Sequence, residues 1–190
     1  MPLVFVDLYQ KLKSLNAKAD IIFNRRSIRL YKSGPLISDE TLHFLLDAAM
    51  SAPTARNRQP WHFVVVTRKD LLEELSRRHP YGKMLATAAM AVLICGDPGL
   101  ESEESYIVQA CSAATQNLLL AAEAVGLGAV WLGVHPRRER SEAIRDLLAI
   151  PENIIPVSLV SIGYPAEEKP RNANYRQSRV HLNGWTETSA

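Results

Sequence analysis

Cysteine is scarce in this 190-residue chain, where only Cys95 and Cys111 occur. Their spacing suits neither a disulfide framework nor a thiolate metal site, and a reducing cytoplasm is the expected setting. Charge of one sign is lacking too: Lys and Arg number 22 against 20 for Asp and Glu, a net charge of +2. That balance argues against nucleic acid as a partner, and aromatics are not interleaved with the basic clusters at 25–29 and 137–140. Long apolar runs are missing as well. Residues 105–122 carry no charge but include Ser105, Gln109, Ser112, Thr115, Gln116 and Asn117, too polar for a lipid-facing span. The run from Met84 to Gly96 is too short to cross a bilayer. Met1 to Asp7 lacks the basic region and cleavage site of a signal peptide, so a soluble, cytoplasmic protein with no membrane partner is expected. No repeat, low-complexity tract or Gly/Ser linker divides the chain. With 47% apolar residues it reads as a single domain over 1–190 with a substantial core.

Catalytic and nucleotide signatures are mostly absent. Gly126-Leu127-Gly128 follows a predicted helix instead of a strand, and its third glycine position is Trp131, so a dinucleotide fingerprint fails. The histidines His43, His62, His79, His135 and His181 show no metal-ligand spacing, so no metal is expected. Cys95 and Cys111 read as inert core thiols.

What is present is an alternation of helical and strand patterns, an α/β or α+β sheet flanked by helices. Helices are predicted over 40–50 (Ser38 as N-cap), 70–78, 103–125 and 137–148. Strands are predicted over 63–67, 91–95, 129–134 and 157–162. The 103–125 helix has low polarity all round, which predicts burial on every face at a domain centre or subunit interface. From Tyr164 onward the chain reads as polar and irregular, with a short extended stretch near Val180 to Leu182.

Two segments carry chemistry. Arg25-Arg26-Ser27-Ile28-Arg29 places three guanidiniums and a hydroxyl within five residues, a set suited to phosphate, although a solvated helix end would look the same. Residues 53–61, PTARNRQPW, form a stiff loop. Its Thr54, Asn57 and Gln59 can read an amide-bearing heterocycle, and ordinary turn chemistry is the competing reading.

Taken in order with Lys83-Met84-Leu85, QNLLLAAEAVGLGAVWLG (116–133) and PVSLVSIGYPAEEKP (156–170), these segments resemble the FMN-dependent nitroreductase family over nearly the whole chain. The resemblance implies an α+β fold, a mostly antiparallel or mixed sheet of four to five strands flanked by helices, in an intertwined homodimer with two FMN sites at the interface. It places Arg25, Arg26 and Ser27 on the FMN phosphate and ribityl chain and Arg29 near the pyrimidine edge. Pro53, Thr54, Ala55, Asn57 and Gln59 fall in a loop that reaches the flavin from the other subunit. Lys83 falls near flavin N1 and O2, and Leu132 and Gly133 offer backbone contacts near N5.

Where relatives carry a basic residue before the tail's extended stretch, this chain has Asn174; Arg171 or Arg176 could reach the phosphate instead. Arg56 and Arg58 could favour an anionic substrate or simply face solvent.

The implied activity is reduction of nitroaromatics, quinones or a related small-molecule acceptor with NADH or NADPH, in ping-pong fashion. FMN would carry the chemistry, with Lys83 and Arg29 as electrostatic stabilisers and no catalytic side chain. Two alternatives are a specialised flavin-destroying or dehalogenating branch, with a lid near 96–105, and a non-catalytic FMN-binding protein.

Overall fold

The computed structural model describes residues 19–171 and 174–185. Its elements in chain order are α1 (Asp20–Asn24), β1 (Tyr31–Lys32), α2 (Asp39–Met50), β2 (Trp61–Val66), α3 (Lys69–Arg78), β3 (Met90–Gly96), α4 (Glu104–Ala124), β4 (Gly128–Gly133), α5 (Arg138–Leu148) and β5 (Ile155–Pro165), with 3-10 turns at Ala55–Asn57, Lys83–Thr87 and Gln177–Arg179. The predicted helices and strands all form, with ends moved by a residue or two except in β5. There the strand runs on through Tyr164 to Pro165, because its last two residues pair with β1 (Tyr31↔Pro165, Lys32↔Tyr164). Around Val180 only an extended backbone follows a 3-10 turn, and no strand forms among the described tail residues.

The five strands pair antiparallel in the order β2-β3-β5, with β4 and β1 sharing the far edge of β5. One parallel bridge, Ser27 to Ala129, adds an irregular segment outside β4. All seven residues of β3 are buried, so its apolar run serves two cores. Met90, Val92 and Ile94 face α2 and α4, where Leu45, Ala49, Ile107, Ala114 and Leu118 meet them. Ala91, Leu93 and Cys95 face α3 and α5, packed with Leu72, Leu75, Leu85 and Ile144. A two-residue side-chain period produces this division.

Ser38 caps α2 by accepting from Thr41 N at 3.2 Å, a contact worth about 1 kcal/mol. Between α4 and β5, Thr115 donates to Cys111 O (2.7 Å) and meets Ser158 Oγ at 2.6 Å, so the buried hydroxyls satisfy each other. Burial pushes the Cys95 and Cys111 thiols up to about 12, which leaves them unreactive.

One expectation is corrected within the chain. Helix α4 buries Ile107, Ala110, Cys111, Ala114, Leu118 and their neighbours, while Gln109, Gln116 and Ala124 are exposed. A single sheet can cover only one side of a helix. The other side borders an apolar groove with Ile22, Phe44, Ala48 and Leu120.

Candidate functional site

After α1 the backbone turns at Arg25 (φ −48°, ψ 126°) into an extended segment along the free edge of β4. Ile28 N donates to Ala129 O at 3.0 Å and the Ile28 side chain is buried against Tyr31 and Ala88. The approach is close enough that a Cβ on Gly128 would lie 2.6 Å from Ile28 Cγ2, so only glycine lets the segment seat. The Tyr31 hydroxyl lies 3.0 Å from Ile28 O and 3.1 Å from Ser161 O, and burial pushes its pKa up to about 12, so it stays a donor.

Extended backbone sends alternate side chains to opposite sides, and this divides the basic motif. Arg26, on the side of Ile28, is turned mainly to the chain itself: its Nε donates to Pro170 O (2.6 Å) and its Nη1 to Phe23 O (3.0 Å) and Arg25 O (2.8 Å), while its buried Nη2 has no hydrogen-bond partner among the described residues. The segment after β5 supplies further braces. Glu167 accepts from Arg29 N (2.6 Å) and Leu30 N (3.2 Å), contacts that hold its carboxyl below the usual range together with Lys169. Lys169 also donates to Ser27 O at 2.7 Å. Arg171 pairs with Asp20 (2.6 Å) and Asn24, so its charge is committed to α1. The Arg25 guanidinium and the Ser27 hydroxyl make no hydrogen bond or ion pair among the described residues. Arg29 is exposed, with one long contact to Ser27 O at 3.4 Å.

Lys83 opens a 3-10 turn whose Met84, together with Ala88 just beyond it, packs against Ile28 and Tyr31. Its side chain is exposed, and its ammonium has no partner among the described residues. His79 ties this turn to the end of β4. Its Nδ1 accepts from Tyr81 N (3.2 Å), which leaves Nε2 to donate to Gly133 O (3.1 Å). Burial first, and then the nearby Arg140 charge, lower the His79 pKa, in keeping with a neutral ring. Arg140 donates to the same Gly133 oxygen at 2.8 Å.

Ala129 O and Gly133 O both accept bonds from outside the sheet, whereas Val134 N bonds to Val157 O in β5. Alternation therefore turns the backbone of Ala129, Trp131 and Gly133 to the open edge and that of Leu132 inward to β5. The backbone contact expected of Leu132 thus passes to its neighbours. Gly133 is also open in another sense. A Cβ there would meet nothing nearer than Arg140 Nη1 at 4.0 Å, so the chain's own packing does not require a glycine.

The 53–59 loop lies elsewhere. Trp61 pairs with Gly96 and Gly96 with Ile155, while Ala129 pairs with Ile162. At about 4.8 Å between strands and 3.3 Å per residue, the loop sits roughly 19 Å across the sheet and 23 Å along it from Ser27, which bridges Ala129 outside β4. Pro53, Thr54, Ala55, Asn57 and Gln59 therefore do not meet Arg25, Ser27 or Lys83 within one chain. Within the loop Gln59 N donates to Thr54 Oγ1 (3.1 Å), and Gln59 Nε2 to Asn57 Oδ1 (3.0 Å). Arg56, Asn57 and Gln59 all have positive φ (54°, 54° and 48°). Arg56 faces solvent over 59% of its side chain, as one of the two readings expected, and it also pairs with the buried Glu101 at 2.9 Å. That contact also ties down the 96–105 segment expected as a lid. Sequence reasoning missed Glu101, His79 and Glu167, which stand in polar or loop stretches where burial leaves no pattern.

No cluster of metal-ligating side chains occurs among the described residues, and none of their helices is long and apolar enough to cross a membrane.

Comparison with known proteins agrees with this architecture. The family model for the nitroreductase family matches residues 22–79 and 76–164. A protein of Archaeoglobus fulgidus that bears the name NADH dehydrogenase/NAD(P)H nitroreductase is 48% identical, covering 87% of this chain and 97% of its own. A crystal structure from Parabacteroides distasonis under the same name superposes with a TM-score of 0.85 at 39% identity, covering 90% of this chain and 99% of that one. A nitroreductase of Desulfovibrio desulfuricans, solved in complex with FMN, superposes with a TM-score of 0.76 at 31% identity, covering 90% of this chain and 99% of that one. With its sheet order, its β4 ledge and these matches together, the chain belongs to the nitroreductase family, a family of oxidoreductases.

Proposed function

We propose that this chain is an FMN-dependent oxidoreductase that uses NADH or NADPH to reduce a small acceptor such as a nitroaromatic or a quinone. The observation that carries the reading is the set of uncommitted groups along one ledge. Arg25 and the Ser27 hydroxyl lie at one end, with Lys83 and the open edge of Gly133 towards the other. A bare guanidinium beside a bare hydroxyl suits a phosphate. From Ala129 to Gly133 the strand runs about 13 Å, and it ends where a missing Cβ lets a flat ring approach. A phosphate joined by a flexible chain to a fused heterocycle fits this donor set. The relatives named above, one solved with FMN and others named for NAD(P)H, support the same ligand pair.

Bound FMN would supply the hydride chemistry. The protein's part is to hold and tune. Arg25 and Ser27 anchor the phosphate, and Ile28 and Gly128 fix the segment that carries them. Lys83 and Arg29 add positive potential, which favours electron-rich states of a bound ligand. Asn57 and Gln59, paired to each other, still present an amide N–H and a carbonyl outward. Because they cannot reach their own ledge, the reading includes a homodimer of two 190-residue, single-domain, cytoplasmic chains that complete each other's sites. The half-exposed Ile22, Phe44 and Met50 on the α1 and α2 side support such a contact.

Purified protein should be yellow, absorb near roughly 450 nm as a bound flavin does, run as a dimer and oxidise NADH or NADPH with ping-pong kinetics. Colourless protein that neither takes up FMN nor oxidises either nucleotide would overturn the proposal.

A further inference from the structure

Glu101 is 3% exposed and stands just before the N-terminus of α4, whose N-cap residue Glu103 donates its N–H to the carboxylate. A buried carboxylate is costly unless it is paired and hydrogen-bonded. Its partners are few and specific: Arg56 Nη2 reaches both oxygens (3.1 and 2.9 Å), and Glu103 N donates to Oε1 at 3.1 Å. The Arg56 guanidinium also lies 6.0 Å from the centre of the Tyr106 ring. Arg56 itself has a left-handed backbone (φ 54°, ψ 19°), and Asn57 follows with the same φ. Such geometry at non-glycine residues is unfavourable and persists only where surrounding contacts impose it. The loop is tied at its end by Asp97 N donating to Pro60 O (2.9 Å), and the Arg56–Glu101 pair ties its middle.

We propose that Glu101 is a positioning residue: by gripping Arg56 it holds the left-handed turn that aims Asn57 and Gln59 outward at the flavin of the other subunit. The inference rests on the proposed function, since it needs FMN at that contact. Arg56 is then a strut of the loop and does not select the substrate's charge.

The test follows FMN release from purified holoprotein by flavin fluorescence after dilution, alongside thermal unfolding of the FMN-stripped protein. E101A and R56A should each speed release about tenfold, and the double variant no further than either single, because both act through one contact. R56K, which keeps the charge, should recover part of the retention. E101Q, nearly isosteric, should release FMN several-fold faster with little change in unfolding temperature, which keeps the test open if E101A fails to fold. Wild-type release rates in both E101Q and R56A would overturn the inference. So would a fully additive double variant, or lower unfolding temperatures with release unchanged, the mark of a purely structural pair. A higher KM for anionic than for neutral acceptors in R56A, with FMN retention intact, would also overturn it and make Arg56 a substrate contact. Wild-type protein that retains no FMN would overturn the proposed function itself, and this inference with it.

Discussion

Arg25 on the β4 ledge and Arg56 in the 53–59 loop stand in segments that the sequence marks equally, yet their surroundings are opposite. The ledge has ordinary extended backbone, pinned by Ile28, and its Arg25 guanidinium, Ser27 hydroxyl and Lys83 ammonium have no partner among the described residues. The loop has left-handed backbone at three non-glycine residues, and its Arg56 is paired with a buried glutamate. Where neighbouring structure already holds the backbone, the charges are left bare for a ligand. Where the backbone is unfavourable, the charge is consumed in holding it.

The sharpest way to test this contrast is within the basic motif. Arg25→Ala should cost a charged hydrogen-bond contact of about 1.5–3 kcal/mol, a tenfold to hundredfold loss of FMN affinity by fluorescence titration, with the unfolding of the apoprotein little changed. Arg26→Ala should do the reverse, lowering stability by about 1–3 kcal/mol in urea because its three carbonyl contacts serve the chain. Equal effects on both measures from both variants would break the distinction.

The two glycines of β4 give a second pair. Gly128→Ala forces a Cβ into Ile28 and should cost about 1–3 kcal/mol of stability. Gly133→Ala meets open space and should change stability by less than about 0.5 kcal/mol while weakening FMN binding. Next in size is Gln59→Gly. It relieves a left-handed position worth about 1–2 kcal/mol and adds about 0.5–1 kcal/mol of unfolded-state freedom, so urea unfolding should show a small net gain, but FMN should leave faster.

The smallest effect concerns His79. Its folded pKa lies below the ordinary 6.5, chiefly through burial. The stabilisation of the neutral ring is therefore complete above 6.5 and is lost as pH falls from there through the folded value. Stability measured against pH should decline over that window, and His79→Gln, which can donate and accept without titrating, should remove that part of the slope.

Much of the fold was legible in the chain because its signals are periodic. The run 91–95 reads as a buried strand, and Ser38 with the spacing of Leu42, Leu45, Leu46 and Ala49 reads as a capped helix. Strand β1 was not legible, since two residues carry no period and form a strand only because β5 extends past Gly163 to meet them. In the site, resemblance named Arg25 and Arg26 together. Their separation depends on an extended backbone and on a tail carbonyl 144 positions away, neither of which a local motif encodes. Glu101 was hidden for a related reason, as one acidic residue in the polar stretch GDPGLESEESY.

The sequence by itself determined which segments become helix or strand and which residue types could meet a phosphate and a heterocycle, because periodicity and side-chain chemistry are local properties. Only the tertiary structure decided which of those residues are available. Availability depends on what long-range folding brings alongside: Pro170 to Arg26, Asp20 to Arg171 and Glu101 to Arg56, while the side chains of Arg25, Ser27 and Lys83 meet no polar partner among the described residues.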